Sequence, residues 1–338
     1  MLEKPDLPDH LILSRVQDEY SLQIGRVTFL PLGADVDTAV YRVEAQDKTS
    51  YFLKLRKNHF AEIAVTLPLF LKDQGIQPII APLETRTRHL WVNLTSYKMI
   101  LYPFIDGHNG YEVALSDRQW LDFGAALKGI HTVQLPPALK RLIPSETYSQ
   151  QWREMVKTFQ AQAEETAFDD PTAAKLALFM RSRRDEIDAL VDRANQLGHT
   201  LQAHSPQLVL CHSDIHAGNL LLGANDALYI VDWDNPSFAP KEHDLAMVGG
   251  STVWNNARDE ALFYQGYSQV QIDPLALAYY RYERIIQDIA AYCEQLFLSV
   301  EGDKDREQSY QYLTGSFLPN HEVEIAFTTD CSWPNHQG

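Results

Sequence analysis

The strongest constraint on the fold is a change of hydrophobic pattern near residue 104. Before it, apolar and polar residues alternate in six segments, which predicts antiparallel strands: RVTFLPLG, AVYRVEA, SYFLKL, IIAPLE, HLWVNL and SYKMILYPFI. The stretch HFAEIAVTLPLFLKDQG instead has apolar residues three and four apart and predicts one helix, with Pro68 as a point where it would kink. After residue 104, long stretches such as PLALAYYRYERIIQDIAAYCEQLFL have helical spacing.

This pattern predicts an α+β fold with an antiparallel, β-rich N-lobe at residues 1–103 and a mainly helical C-lobe at residues 104–338. Residues 104–111 are the predicted hinge. The length of 338 residues agrees with two lobes, each with its own core, or with one fused enzyme fold.

The distribution of charge excludes one class of partner. Residues 1–103 contain 12 basic and 12 acidic residues, whereas residues 104–338 contain 17 and 33. A protein that binds nucleic acid needs a basic face, so we expect no nucleic-acid partner. The acidic C-lobe favours a cationic partner, although a solvated acidic surface is an equally good explanation of charge alone.

Other features predict a cytoplasmic chain with no membrane contact. No segment approaches the roughly 20 apolar residues of a membrane span, and the N-terminus is polar. The three cysteines, Cys211, Cys293 and Cys331, have no CxxC spacing, which argues against a disulfide framework or a zinc site. We expect a monomer or a weak dimer.

The segment VLCHSDIHAGNLLLGANDALYIVDWD, residues 209–234, places acids beside short strand-like runs within the helical half. Asp214 is followed by Asn219 after five residues and by Asp232 after thirteen more. Oxygen ligands of this kind suit Mg²⁺. Each residue alone is more simply explained as part of a turn or a helix cap. As an ordered set they predict a site in which Asn219 and Asp232 bind metal and Asp214 acts as a base.

The sequence CHSDIHAGNLLL followed by IVDWD resembles the HxDxxxxN loop and metal-binding Asp of the aminoglycoside phosphotransferase family, whose members are small-molecule kinases with a protein-kinase-like bilobal fold. Within that family, GADVDTAVYRV, YPFIDGHNG, WDNPSFAPKEHDLAMVGG and YYRYERIIQDIAAY are most similar to the spectinomycin phosphotransferase branch. The resemblance implies ATP and Mg²⁺ as cofactors and transfer of the γ-phosphoryl group to a hydroxyl.

The resemblance also implies roles for residues around this loop. Asp214 would orient the substrate hydroxyl and accept its proton. His212 would support the loop and Asp244 would steady it, with a structural histidine and a helix-capping acid as the competing explanations.

For the nucleotide, Lys54 would bind the α- and β-phosphates, and Glu62 would pair with Lys54. Gly33, in LPLGADVDTAV, would let the backbone approach phosphate, although this loop lacks GxGxxG and a plain hairpin is the alternative. The hinge residues Tyr102, Phe104 and Ile105 would present backbone groups to adenine. Lys54 alone is equally compatible with a solubilising charge on an edge strand.

The expected substrate is a small, cationic, polyhydroxylated molecule, an aminocyclitol or aminoglycoside with spectinomycin as the first choice. Asp234, Glu283 and Asp288 would hold its amines. Glu283 and Asp288 equally suit intrahelical pairs with Arg281 or Arg284.

Two alternatives stay open. One is a kinase of a small metabolite alcohol, such as choline, homoserine or a thiosugar, with the same machinery. The other is a nucleotide-binding pseudokinase, which is disfavoured because Lys54, Asp214, Asn219 and Asp232 are all present.

Overall fold

The computed structural model describes residues 3–33, 37–58, 60–268, 270–299 and 303–332. The strands are β1 (Ile24–Leu30), β2 (Thr38–Ala45), β3 (Ser50–Arg56), β4 (Val92–Leu94), β5 (Tyr97–Pro103), β6 (Gly107–Asn109), β7 (Val209–Cys211), β8 (Leu220–Gly223), β9 (Leu228–Ile230) and β10 (Ser237–Ala239). The helices are α1 (Asp9–Tyr20), α2 (Ile63–Asp73), α3 (Asp117–Thr132), α4 (Pro137–Lys140), α5 (Gln151–Glu165), α6 (Pro171–Ser182), α7 (Arg184–His204), α8 (Glu242–Leu245), α9 (Ala257–Tyr267), α10 (Pro274–Leu298), α11 (Asp303–Gly315) and α12 (Glu322–Ser332).

The chain divides into two compact units. The first unit comprises residues 1–144, 214–236 and 262–268, and the second comprises residues 145–213, 237–261 and 269–338. An antiparallel sheet dominates the start of the chain and helices dominate the rest, so the predicted α+β class is confirmed.

The first unit contains a five-stranded antiparallel sheet with the order β1-β2-β3-β5-β4. Its core is formed by alternate residues of the strands, because successive side chains of a strand point to opposite faces. Tyr41 and Val43 of β2 and Leu53 and Leu55 of β3 are fully buried in this core.

Two features near this sheet differ from the sequence prediction. Helix α1 was not predicted, yet its residues Ile12 and Val16, four apart, are fully buried in the core of the sheet. The predicted strand IIAPLE forms only an isolated bridge, at Ile79, because Pro82 has no N–H to donate to a neighbouring strand.

The predicted inset helix is present as α2, which contains Pro68 and ends before Gly75. Gly75 has a φ of 84°, a conformation that favours glycine and stops the helix. His59, where the predicted helix began, lies outside the described residues.

The first unit also contains a three-stranded sheet in the order β6-β8-β9. β8 and β9 form a hairpin in which Leu220 pairs with Ile230. This pairing brings the residue before β8, Asn219, beside the residue after β9, Val231, whose N–H donates to Asn219 O at 3.0 Å.

The second unit is built around α10, whose fully buried residues include Ile286, Ile289 and Ala290. Asp273 caps α10 by accepting a hydrogen bond from Leu275 N–H, and Pro274 occupies the first turn, as expected at a helix start. β7 and β10 pair in a two-stranded antiparallel sheet of the same unit.

Among the helices of the described residues, none combines the length and apolar character needed to cross a bilayer.

Candidate active site

Strand β3 carries two cations on the face opposite the hydrophobic core. Leu53 and Leu55 point into the core, so the alternation of the strand turns Lys54 and Arg56 to the other face. The side chains of Lys54 and Arg56 are only 11% and 12% exposed. Because a buried, unpaired cation is costly, each needs an acceptor.

Both acceptors follow β9. Lys54 Nζ lies 2.7 Å from Asp232 Oδ1 and 2.8 Å from Asp234 Oδ2. The guanidinium of Arg56 donates a hydrogen bond to the same oxygen of Asp234. The structure therefore brings together the predicted residues Lys54, Asp232 and Asp234.

Arg56 was not identified from the sequence. The available signal was its spacing of two residues from Lys54 on one strand, which places both cations on one face.

The two carboxylates respond to this environment in opposite directions. Removal of water disfavours the charged form of Asp232, but the Lys54 ammonium outweighs it and lowers the pKa of Asp232 to about 2. For Asp234, burial raises the pKa although Lys54 opposes the rise. Burial acts to lower the pKa of Lys54, and the two carboxylates more than compensate and raise it. Lys54 is therefore a charged donor at neutral pH.

The backbone is in a left-handed conformation at two positions beside the predicted catalytic groups. Asp232 has a φ of 65°, and Ser213, which directly precedes Asp214, has a φ of 69°. This conformation costs non-glycine residues about 1–2 kcal/mol, and among the described residues it also occurs at other non-glycine positions, such as Lys48 and Asn225.

Asp214 is held by Asn219. The Nδ2 group of Asn219 donates to Asp214 O at 2.9 Å and to Asp214 Oδ2 at 3.1 Å. Asn219 is buried, at 6% exposure, and the hairpin contact with Val231 fixes its backbone. The carboxylate of Asp214 therefore has a defined orientation within the first unit.

The same residues offer oxygen atoms to a hard cation. Because Asn219 Nδ2 faces Asp214, the amide oxygen is the Asn219 atom suited to a metal, and Asp232 supplies a carboxylate. The negative charge of Asp214 acts to raise the pKa of Asp232, so the two acids lie within electrostatic range of each other. A divalent cation would relieve that repulsion. The donor set therefore fits Mg²⁺.

In the second unit, Asp244 contacts the residues that lead into the catalytic loop. Its fully buried carboxylate accepts hydrogen bonds from His212 N–H and Ser213 N–H, both at 2.8 Å. His212 is also fully buried. These contacts are of the kind expected if Asp244 and His212 support the loop.

The predicted nucleotide residues lie in the first unit. Gly33 follows β1 with a φ of 84°, while residues 34–36 of the same predicted loop lie outside the described residues. Tyr102 lies on β5, and Phe104 and Ile105 follow that strand. Phe104 N–H donates to Ser50 O at 3.4 Å.

Glu62 does not pair with Lys54. It is exposed and occupies the residue before α2, and the ion pairs of Lys54 within the described chain are those with Asp232 and Asp234. The eight-residue spacing from Lys54 was too weak a signal to place its side chain.

The two predicted substrate acids on α10 lie in different environments. Asp288 is 42% exposed and forms the intrahelical pair considered in the sequence analysis, with Arg284 Nε at 3.1 Å. Glu283 is 5% exposed and lies 3.3 Å from Nε of Arg153, a residue of α5. A substrate amine would have to displace Arg153 to reach Glu283.

Comparison with known proteins agrees with this geometry. Residues 28–280 match the model of the phosphotransferase enzyme family. A crystal structure of spectinomycin phosphotransferase, APH(9)-Ia, in complex with ADP and spectinomycin has 36% sequence identity, covers 97% of this chain and 99% of that chain, and has a TM-score of 0.90. Its AMP-bound complex matches with the same identity, coverages of 95% and 98%, and a TM-score of 0.85. No curated protein matches this chain.

More distant structures show the fold alone. Choline kinase LicA from Streptococcus pneumoniae has 14% identity and a TM-score of 0.58, with 96% of this chain and 99% of that chain covered. The family model and the match to spectinomycin phosphotransferase cover most of the chain and confirm the resemblance inferred from its motifs. The chain belongs to the phosphotransferase enzyme family, with a protein-kinase-like α+β fold, and is a small-molecule phosphotransferase that acts on a hydroxyl group.

Proposed function

We propose that this protein transfers the γ-phosphoryl group of ATP to a hydroxyl group of spectinomycin. The observation that carries the reaction is the 2.7 Å ion pair between Lys54 and Asp232, which joins the sheet to the segment after β9. The substrate is proposed from the 36% identity, over nearly the whole chain, to a phosphotransferase whose crystal structure contains ADP and spectinomycin.

The nucleotide would lie against the sheet of the first unit. Lys54, a charged donor on the face away from the core, would exchange its carboxylate partners for the α- and β-phosphates. Gly33 would allow the backbone to approach phosphate, and the backbone of Tyr102 to Ile105 would bind the adenine edge. Within the described chain, Lys54 forms its ion pairs with Asp232 and Asp234, so no role in binding the nucleotide is proposed for Glu62.

Asp214 would orient the acceptor hydroxyl and take its proton as the phosphoryl group moves, which typically contributes about 10²–10⁴ in rate. Asn219 supports this role because its amide holds the Asp214 carboxylate. His212 and Asp244 would keep the loop in position through the N–H groups before Asp214.

Mg²⁺, held by Asn219 and Asp232, would neutralise charge on the transferred phosphate. The lowered pKa of Asp232 keeps this ligand ionised at neutral pH.

The amines of the substrate would bind to acids. Asp234 is part of the Lys54 and Arg56 cluster, and Asp288 is the more exposed of the two acids on α10. Glu283 would take part only after release from Arg153. A cationic polyhydroxylated substrate agrees with the 33 acidic residues against 17 basic residues after residue 103.

The test is a coupled assay of ADP release with Mg·ATP and a panel of acceptors: spectinomycin, several aminoglycosides, choline, homoserine and methylthioribose. We expect turnover on spectinomycin far above the rest. Turnover restricted to a metabolite would keep the phosphotransfer and reject the substrate. Absence of turnover on every acceptor, with ATP still bound, would favour a binding role.

A further inference from the structure

The rings of His216 and Tyr111 contact each other beside Asp214. The proposed base, metal and nucleotide sites do not account for this contact. The two rings stack with their centroids 6.0 Å apart and an interplanar angle of 27°. Tyr111 is 59% exposed, so the stack with His216 lies at the protein surface. All three residues belong to the first unit.

The backbone at Gly110 holds the stacked rings in place, and Gly218 leaves room for them. Gly110 N–H donates to Ala217 O at 2.9 Å and to Leu220 O at 3.1 Å, which fixes Tyr111 next to the catalytic loop. A Cβ on Gly218 would lie 2.8 Å from His216 Cε1 and 3.0 Å from Tyr111 Cε2. Because such distances are too short for non-bonded carbon atoms, a side chain at Gly218 would force the stack apart.

The hydrogen bonding of His216 determines which nitrogen carries its proton. Gly218 N–H donates to His216 Nδ1 at 3.0 Å. A ring nitrogen that accepts a hydrogen bond carries no proton, so the proton of the neutral imidazole is on Nε2. Nε2 lies 3.7 Å from Asp214 Oδ2. This is longer than a hydrogen bond, and contacts of catalytic groups are often long before the substrate binds.

Asn219 Nδ2 at 3.1 Å and His216 Nε2 at 3.7 Å both lie near Asp214 Oδ2. They come from opposite ends of the short turn Ala217–Asn219, since His216 precedes the turn and Asn219 ends it. Two donors on one oxygen restrict rotation of the carboxylate more than one does.

We propose that His216 and Tyr111 are a positioning pair for Asp214. Tyr111 holds the imidazole flat, Gly218 N–H selects its tautomer, and His216 Nε2–H orients the Asp214 carboxylate toward the acceptor hydroxyl. This role rests on the proposed phosphotransfer, in which Asp214 is the base. The competing role is loop support, in which His216 only accepts the hydrogen bond from Gly218 N–H and does not act on Asp214.

Two substitutions of His216 separate positioning from loop support. In His216→Asn the amide oxygen can replace Nδ1 as the acceptor for Gly218 N–H, but nothing replaces Nε2–H. In His216→Gln the amide can replace Nε2–H, while the contact with Gly218 is lost. If the pair positions Asp214, kcat on the acceptor falls about 10–10²-fold in the Asn variant, with KM for ATP little changed, and Gln retains at least several-fold more of kcat.

The control is His89→Asn, an exposed histidine on a turn of the same unit whose Nδ1 lies 3.0 Å from Thr87 Oγ1, and we expect it to leave kcat unchanged. For the stack, Tyr111→Leu should lower kcat several-fold more than Tyr111→Phe, because only Phe keeps the ring. A kcat for His216→Asn equal to or above that for His216→Gln would reduce His216 to loop support and overturn the proposal.

A second measurement does not depend on turnover. The imidazole ¹⁵N spectrum of the wild-type protein at pH 8 reports the tautomer, with the His216 signals identified by their loss in His216→Gln. The proposal requires the proton on Nε2, and a proton on Nδ1 would overturn it. If the wild-type enzyme phosphorylates no acceptor, the proposed function fails, and this spectrum still decides whether His216 has the tautomer that the pair requires.

Discussion

Each unit of the protein contains buried charges, and the two groups are built differently. In the first unit, Lys54 is paired with two acidic side chains, Asp232 and Asp234. In the second unit, Arg153 is 2% exposed and is bound mainly by the main chain. Its guanidinium donates to the carbonyl oxygens of Tyr148, Ser149 and Ala194 and to the side chain of Asn195.

The difference indicates which charges can exchange partners. Side-chain carboxylates can rotate away from Lys54 when phosphate and metal arrive, so this cluster suits a ligand site. Main-chain carbonyl groups cannot leave Arg153 without unfolding the segments that carry them, so Arg153 belongs to the architecture. Substitutions in the first group should therefore change catalysis, and substitutions in the second should change stability.

The largest effect is expected at the proposed base. Asp214→Asn keeps the size of the side chain but cannot accept a proton, so kcat should fall about 10²–10⁴-fold while ATP binding is retained. Steady-state kinetics and nucleotide titration measure the two quantities. The matched control is Asp226→Asn, an exposed acid on the β8–β9 turn, and equal kcat values for the two variants would remove Asp214 from its role.

The next largest effect is expected at Arg153, where a substitution should lower stability. Arg153→Met removes the donor for buried carbonyls and leaves Glu283 without its cation, which should lower the free energy of unfolding by about 3–5 kcal/mol. Chemical denaturation measures this change. Arg184→Met, which breaks an ion pair of a side chain that is 57% exposed, should cost less than about 1 kcal/mol. Similar losses in both variants would contradict the assignment of Arg153 to the architecture.

A loss of catalysis with a smaller loss of stability than in Arg153→Met is expected at Lys54, because Asp232 is 43% exposed and Asp234 keeps its pair with Arg56. Lys54→Met should lower kcat/KM for ATP by about 10²-fold, the size typical of one lost donor to a developing charge. Lys57→Met, an exposed cation just after the same strand, serves as the control. If Lys54→Met lowers the free energy of unfolding as much as Arg153→Met does, the distinction between exchangeable and structural buried charges is contradicted.

Glu283 gives a pH-dependent test of the second unit. Burial, opposed by Arg153, raises the pKa of Glu283 from 4.5 to about 7. A raised pKa means that stability present below pH 4.5 is lost as the pH rises through 7. Glutamine does not titrate, so Glu283→Gln should lack this loss. Between pH 5 and pH 8, the unfolding free energy of the wild type should therefore fall by about 1–3 kcal/mol relative to that of the variant. Parallel stability profiles for the two proteins would show that Glu283 does not titrate there.

The smallest effect is expected at Asp288. Its pair with Arg284 is partly exposed, and an exposed ion pair with a substrate amine contributes up to about 1 kcal/mol. Asp288→Asn should therefore raise KM for spectinomycin up to about fivefold and leave KM for ATP unchanged. An unchanged KM for spectinomycin would restrict Asp288 to its intrahelical pair.

The sequence predicted the parts of the site that depend on local order. Asp214, Asn219 and Asp232 lie on one short hairpin and the turn before it, so their spacing along the chain was close to their arrangement in space. Lys54 was predicted from the resemblance to bind phosphate, and the structure pairs it with Asp232, 178 residues later in the chain.

Features that depend on distant contacts were not predictable from one sequence. Arg56 has no local signal apart from strand spacing, and its partner Asp234 is 178 residues away. Arg153 and Glu283 pair between α5 and α10, which local spacing does not specify. Helix α1 is amphipathic over only a few residues, and its burial against the sheet provides the stability that its own sequence does not.

The central claim is tested most directly by the product. Spectinomycin incubated with the enzyme and Mg·ATP should gain one phosphoryl group per molecule, seen by mass spectrometry and as a phosphate ester by ³¹P NMR, in equal amount to the ADP formed. Asp214→Asn should give almost none. ADP formed without phosphorylated spectinomycin, or modification of another acceptor alone, would contradict the account.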